Sequence, residues 1–348
     1  MRKGIVVTAH VGIEKLAARA EDLGFSSFWV YDTPMLHGDP FAALSLCAKA
    51  TSRIKLGVGV TSPALRSAPA AANHFASLNA LAPGRVICGI GTGNTARRTL
   101  GMLPTTMAEL ESFTASLQAL CSGQPAEYRE GNRTREIELL HVGPYVNTAD
   151  PIEYAVAAFG LKAAAIAGRR GAGVISFGLL DPGAWTALDK ERESAARAAG
   201  QPVEVDSYVM TSMHVLAPGE DRHGDAARDA MGHIALSLLT FAADNPSFAE
   251  SMSEEEQGAM RRLLAQRGTT ATATDRHKVL YRNYLGRISP EERELVVPSL
   301  IDNLGLVGTR EELEIRITQL EQSGIDELVI QPVVDPDAEM TAFAGLTI

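Results

Sequence analysis

Lys3-Gly-Ile-Val-Val-Thr-Ala9, Ile13-Glu-Lys-Leu-Ala-Ala-Arg-Ala-Glu-Asp-Leu23-Gly24 and Phe28-Trp-Val-Tyr31 follow one another near the start of the chain. The first run is short, apolar and β-branched, the pattern of a strand buried on both faces. In the second, Ile13, Leu16, Ala17, Ala20 and Leu23 recur at helical spacing, and Gly24 stands where a helix C-cap glycine belongs. The third is again a buried strand. Strand, helix and strand in this order make a βαβ unit with parallel strands.

Outward from this unit the same grammar repeats. Helices are predicted over 40–52, 69–82 and 105–122, with strands at Ile54–Thr61 and Val86–Gly91 between them. The alternation continues with strand Tyr154–Phe159, helix 161–170, strand Gly173–Phe177, helix 182–199 and a strand over 203–216. In the last unit Thr309-Arg-Glu-Glu312 is a capping box, Leu313, Ile317 and Leu320 form the apolar stripe, Gly324 ends the helix, and Glu327–Pro332 is the final strand. Leu-Gly-Phe-Ser-Ser-Phe-Trp-Val (23–30) weakly echoes Ser-Gly-Ile-Asp-Glu-Leu-Val-Ile (323–330). The strands, near residues 5, 29, 58, 88, 156, 175, 210 and 329, are as many as a closed (β/α)₈ TIM barrel requires, in one α/β domain spanning 1–348. Two excursions interrupt the rhythm. One covers 123–153 and reads as a hairpin. The other runs roughly 220–300, with a long helical stretch over 222–265 and a polar loop at Thr269–Thr274.

The 348 residues carry 32 Lys and Arg against 42 Asp and Glu, a net charge of −10. That balance argues against a nucleic-acid or acidic-membrane partner, which needs a basic footprint. No apolar run approaches a membrane span, and the opening stretch is too short and polar for a signal peptide. Cys47, Cys88 and Cys121 are odd in number and widely spaced, and read as reduced, buried thiols of a cytoplasmic protein.

In a barrel of this kind the chemistry sits at the C-terminal ends of the strands. No lysine lies at such an end: Lys3 and Lys55 sit at strand starts and Lys162 opens a helix, which disfavours a Schiff-base aldolase. Asp32 is the one strand-end carboxylate, too few for a glycosidase or a hydrolytic metal site. The histidines show no metal spacing; His37-Gly-Asp39 comes nearest and reads as a polar loop. What remains is a rim of hydroxyls, amides and glycines, suited to a planar ligand that brings its own reactivity. Gly91-Thr-Gly-Asn-Thr-Ala96 fits the relaxed dinucleotide pattern, but a Rossmann unit needs an acid at the end of the next strand, and Glu109–Leu120 is helical. The run is then a turn that lets backbone approach a ligand, or simply a tight βα turn. Phe159-Gly160-Leu161-Lys162 opens a helix, whose free amides can receive phosphate.

The run Ile54-Lys-Leu-Gly-Val-Gly-Val-Thr-Ser-Pro63 with Arg66, Pro69, Ser77-Leu-Asn79, Pro83-Gly-Arg85 and Gly89-Ile-Gly-Thr-Gly-Asn94 resembles the bacterial luciferase-like monooxygenase superfamily. Ala20–Phe25, Trp29–Asp32, Gly160-Leu-Lys162 and Val307-Gly-Thr309 extend the resemblance, which is nearest to the methylenetetrahydromethanopterin reductase branch. It implies a barrel enzyme using coenzyme F420 or FMN. The branch tilts the choice towards F420, with hydride passing between the deazaflavin and a small organic substrate. An FMN-dependent monooxygenase is the alternative, and a non-catalytic flavin-binding barrel a further one. A sugar-phosphate isomerase or lyase would share a phosphate loop but want strand-end acids or lysines. The resemblance also implies a non-proline cis peptide ending the third strand, here at Gly59-Val60, and a homodimer. By it, Asp32, Thr33, Gly59, Val60, Thr61, Ser62, Gly91, Thr92, Gly93 and Asn94 would line the ring and side chain of the cofactor. Gly160, Leu161, Lys162 and Gly178 would hold its phosphate. Many members have Asp-His after strand 2 and Arg-His-Pro after strand 3. Here Asp32-Thr33 and Arg66-Ser67-Ala68-Pro69 stand there, so Asp32 and His10 are the remaining candidates for proton transfer.

Overall fold

The computed structural model describes residues 1–268 and 274–348. Its strands, in chain order, are β1 (Arg2–Val7), β2 (Ser27–Val30), β3 (Lys55–Thr61), β4 (Val86–Ile90), β5 (Ala126–Glu130), β6 (Arg133–Ile137), β7 (Glu153–Ala157), β8 (Gly173–Phe177), β9 (Tyr208–Val215), β10 (Gly305–Gly308) and β11 (Glu327–Ile330). In the main sheet the hydrogen-bonded order is β10-β9-β11-β1-β2-β3-β4-β7-β8, and β8 also pairs with β9. That last pairing closes a ring of eight strands, parallel at every junction. The expected TIM barrel is therefore observed, with a helix or helices on the outside after each strand.

The barrel fills unevenly. Trp29 on β2 points inward and takes the centre, so the neighbouring strands present glycines to it. A Cβ on Gly57 would lie 2.3 Å from the Trp29 ring, and one on Gly89 would lie 2.4 Å from the Val58 carbonyl. The Gly-x-Gly spacing of β3 and β4 thus serves barrel packing as well as the rim. Tyr208 meets Trp29 edge-on at 5.0 Å, and Val6, Ile87, Ala155, Ile175, Met210 and Val329 complete this interior. A larger apolar cluster lies between the strands and the outer helices.

At the closed end, Glu327 accepts a hydrogen bond from Ser27, whose hydroxyl in turn receives the Trp29 indole N–H at 2.6 Å. Burial pushes this carboxyl up to about 7, against the pull of Ser27, Arg2 and Lys55.

The first excursion is the expected hairpin: β5 and β6 pair antiparallel about Gly131 in a left-handed conformation (φ 57°). The second differs from its reading. The helical stretch over 222–265 breaks into helices Asp225–Ala243, Pro246–Ala249 and Glu254–Gln266. Pro246 cannot continue the first helix, and the Ser253/Glu256 capping box starts the last. The strand read over 203–216 begins only at Tyr208, and β10 was not foreseen. The loop expected at Thr269–Thr274 lies almost wholly outside the described residues. Cys47, Cys88 and Cys121 are buried and free. Among the described residues no helix is long and apolar enough to cross a membrane, and no group of three His, Cys, Asp or Glu could hold a metal.

Candidate active site

The C-terminal mouth of the barrel gathers several of the expected residues. Asp32 follows β2 and is only 2% exposed. Its Oδ2 is paired with the Arg66 guanidinium, which comes from the loop after β3. The other arm of Arg66 reaches Asp39 at 2.8 Å, and its plane lies 4.9 Å from the Phe41 ring centre. Asp39 is fixed because its carboxylate caps the helix Pro40–Ala50 through the amides of Phe41 and Ala42. Two loops are thereby tied together across the mouth. Burial raises the Asp32 carboxyl above its ordinary value, although Arg66 and the nearby Thr61 hydroxyl pull it down. Asp32 Oδ1 and Thr61 Oγ1 are both buried and have no hydrogen-bond partner among the described residues. Buried polar atoms left this way are rare and costly, and two of them at adjacent strand ends mark a place where a ligand can supply the missing partners.

The peptide Gly59-Val60 is cis, and the β3–β4 register shifts between Val58 and Thr61, so Val60 bulges toward β4. Gly91 receives it: a Cβ there would lie 2.8 Å from Val60 Cγ2. Gly93 is left-handed (φ 71°), and a Cβ on it would lie 2.5 Å from the Ser62 hydroxyl, so the turn after β4 is pressed onto the end of β3. The carbonyl of Thr92 is held by Thr105, and the side chain of Asn94 by Arg98. The structure thus brings Asp32, Val60, Thr61, Ser62, Gly91 and Gly93 to one part of the rim.

Thr33 is directed elsewhere, its hydroxyl 2.7 Å from His37 Nδ1. Burial lowers the His37 pKa, opposed by a contact with the backbone of Tyr284, so the imidazole is held neutral more readily than an exposed one. His10 is exposed and bonded to the carbonyl of Thr8 at 2.8 Å. Gly160, Leu161 and Lys162 lie exposed at the start of the helix Leu161–Arg169, with open space around Gly160. Gly178 is left-handed (φ 70°), and its N–H donates to the Met210 carbonyl at 2.8 Å. In this conformation that amide is already used.

Arg66, Tyr31, Gln331, Tyr284 and Leu285 join the site without having been singled out as site residues. Tyr31 donates to Gln331 Oε1 at 2.9 Å, and Gln331 Nε2 donates to the Leu285 carbonyl at 2.9 Å. Gln331 could have been found from its place at a strand end. Nothing local in the sequence marks Leu285.

Residues 10–327 match the family model for luciferase-like monooxygenases. The limonene 1,2-monooxygenase of Rhodococcus erythropolis is 27% identical over 251 residues, covering 69% of this chain and 63% of its own length, so less than two thirds of that relative is spanned. The 5,10-methylenetetrahydromethanopterin reductase of Methanolobus tindarius is 23% identical over 94% of this chain and 92% of its own. An F420-dependent secondary alcohol dehydrogenase, solved with an F420–acetone adduct, superposes with a TM-score of 0.70 at 19% identity, covering 100% of this chain and 98% of that one, a likeness of fold. The match to the family model covers nearly the whole barrel, and the chain belongs to the luciferase-like monooxygenase family.

Proposed function

We propose that this chain is an F420-dependent oxidoreductase that moves hydride between the deazaflavin and a small organic substrate. The observation that carries the reading is the pair of buried, unpartnered oxygens on Asp32 and Thr61 at the mouth of a luciferase-like barrel. A deazaflavin or flavin edge carries the N–H and C=O groups that such atoms require, so the residues present fit the group. The similarity to the F420-dependent hydroxymycolic acid dehydrogenase of Mycobacterium tuberculosis, 35% identical over 72% of this chain and 69% of its own length, favours F420 over FMN.

The ring supplies the hydride chemistry when bound. The protein orients and desolvates. Asp32, locked by Arg66, and Thr61 with Ser62 would fix the polar edge of the ring. The Gly91–Asn94 turn would let backbone approach it, and the amides of the helix Leu161–Arg169, with Lys162, would receive the phosphate without a strongly basic surface. His37, its pKa lowered by burial and its Nδ1 beside the Thr33 hydroxyl, can accept a proton beside the site; His10 is the exposed alternative. One barrel domain, acting on a small molecule in the cytoplasm as a homodimer, completes the proposal, and size measurement in solution tests the last part.

The similarity to limonene 1,2-monooxygenase favours a second reading, monooxygenation of the substrate, for which reduced FMN and oxygen would be the reagents. Turnover separates the two. F420 bleaching with an alcohol, without oxygen consumption, is expected. Oxygen uptake with reduced FMN would favour the second reading, and binding of either cofactor without turnover would leave a binding barrel.

A further inference from the structure

The mouth of the barrel is filled by a segment that belongs to none of its strands. Leu285, from the second excursion, is 7% exposed and packs among the inward side chains of the barrel, including Tyr31, Ile175 and Met210. Tyr284 packs beside it. The tip is bent sharply: Asn283 and Leu285 both take left-handed backbone conformations, with φ of 56° and 61°. For a leucine this is costly, and it persists only where the surroundings impose it. Both flanks are anchored. Tyr281 donates to Asp244 Oδ2 at 2.9 Å, and Ile288 packs into the apolar cluster around the helix Asp225–Ala243.

The tip is held at three polar points, each from a different strand end. The Leu285 carbonyl accepts from Gln331 after β11, and the Tyr284 hydroxyl accepts from Thr95 after β4 at 3.2 Å. The Tyr284 backbone meets His37 after β2. An apolar side chain thus sits within a ring of polar strand ends, while Asp32 Oδ1 and Thr61 Oγ1 in that ring gain nothing from it. A plug fastened by a few hydrogen bonds to strand ends, rather than by strand pairing, can be released without unfolding the barrel, because its flanks are anchored outside the mouth.

We propose that the Tyr284-Leu285 tip is a built-in plug, competing with the cofactor ring for the mouth of the barrel and withdrawing when the ring binds. This rests on the proposed function, since it takes a flavin or deazaflavin as the competitor. Binding then carries a conformational cost set by the fraction of molecules with the plug out.

The test uses the full chain with FMN and coenzyme F420 as probes. Leu285→Ala should tighten binding of the preferred cofactor by about tenfold, the gain expected if roughly one molecule in ten is open. Tyr284→Phe, which loses the hydroxyl's contacts with Thr95 and Ser237, should shift affinity the same way by a smaller factor and guards against a misfolded Leu285→Ala. As a readout independent of affinity, Leu285→Cys places a thiol in a protein whose own three cysteines are buried. The introduced thiol should react slowly in the ligand-free protein and faster when cofactor saturates it. Weaker or unchanged binding in both variants, or a thiol that becomes better protected with cofactor, would overturn the plug while leaving the proposed function standing. If neither wild type nor variants bind either cofactor, the proposed function falls and takes the plug with it. Binding by the variants alone supports both.

Discussion

Arg66→Met isolates the ion pair at the mouth of the barrel. Methionine keeps much of the apolar stem and removes the guanidinium, whose central carbon lies over the Phe41 ring. Three contacts are lost, of unequal worth. The Asp39 pair is half in solvent and contributes about 0–1 kcal/mol. The contact with Phe41 adds about 0.5–1 kcal/mol. The Asp32 carboxylate is fully buried, and removing the partner of a buried charge costs about 3–5 kcal/mol. The Asp32 part must depend on pH. Burial already holds this carboxyl above its ordinary 3.8 with Arg66 in place, and without Arg66 it rises further. A carboxyl raised in the folded state keeps a proton that the unfolded chain has released, so stability falls as pH climbs from the unfolded value to the folded one. The variant should therefore lose little more than the Asp39 and Phe41 contributions near pH 4, and the full amount at pH 8. Urea melts at the two pH values measure this, and Asp32→Asn with the double variant closes a cycle whose coupling should exceed about 2 kcal/mol. Equal losses at both pH values, or additive single variants, would refute the assignment.

Thr61→Val replaces a fully buried, unpartnered hydroxyl by a methyl group. Ligand-free stability should change by no more than about 1 kcal/mol, because the hydroxyl's desolvation is relieved while its support of Asp32 is lost, and cofactor affinity should fall about tenfold, as read by melts and fluorescence titration. Glu327, at the closed end of the barrel, titrates near 7 when folded against an ordinary 4.5, so wild-type stability should fall between those values by on the order of 3 kcal/mol. Glu327→Gln should abolish that slope in denaturant melts across the range. Glu21 is the converse case: against the effect of burial, the amides of Ile54, Arg53 and Ser52 hold it at about 2. Glu21→Gln should cost about 1–3 kcal/mol at neutral pH, a loss that shrinks as pH falls from 4.5 towards 2.

The barrel was legible because each βα unit states its own pattern. Gly24 and the Thr309/Glu312 capping box are local signals, and both act in the structure as read. The resemblance located the cis peptide at Gly59-Val60. It could not show why Gly57, Gly59 and Gly89 line β3 and β4, which follows from the space that Trp29, Met210 and the Val58–Val60 bulge take inside the barrel. The break at Asn245-Pro246 was readable in principle, since proline ends a helix, but the Ala- and Leu-rich stretch before it hid the stop. The Asp32–Arg66 pair joins loops 34 residues apart in sequence, and no periodicity reports such a contact. Leu285 was least legible of all. An apolar residue in a mixed polar stretch carries no period, and only the closed ring of strands gives it a place to go.

The central claim is that the mouth of this barrel, with Asp32 and Thr61 in it, receives a flavin-type ring. An equilibrium fluorescence titration of the purified chain with coenzyme F420 and with FMN, repeated on Asp32→Asn and Thr61→Val, tests it most directly. The account predicts saturable binding of one molecule per chain, tighter for F420, and weaker in both folded variants. Failure of the wild-type chain to bind either cofactor, or binding that both substitutions leave unchanged, would contradict it.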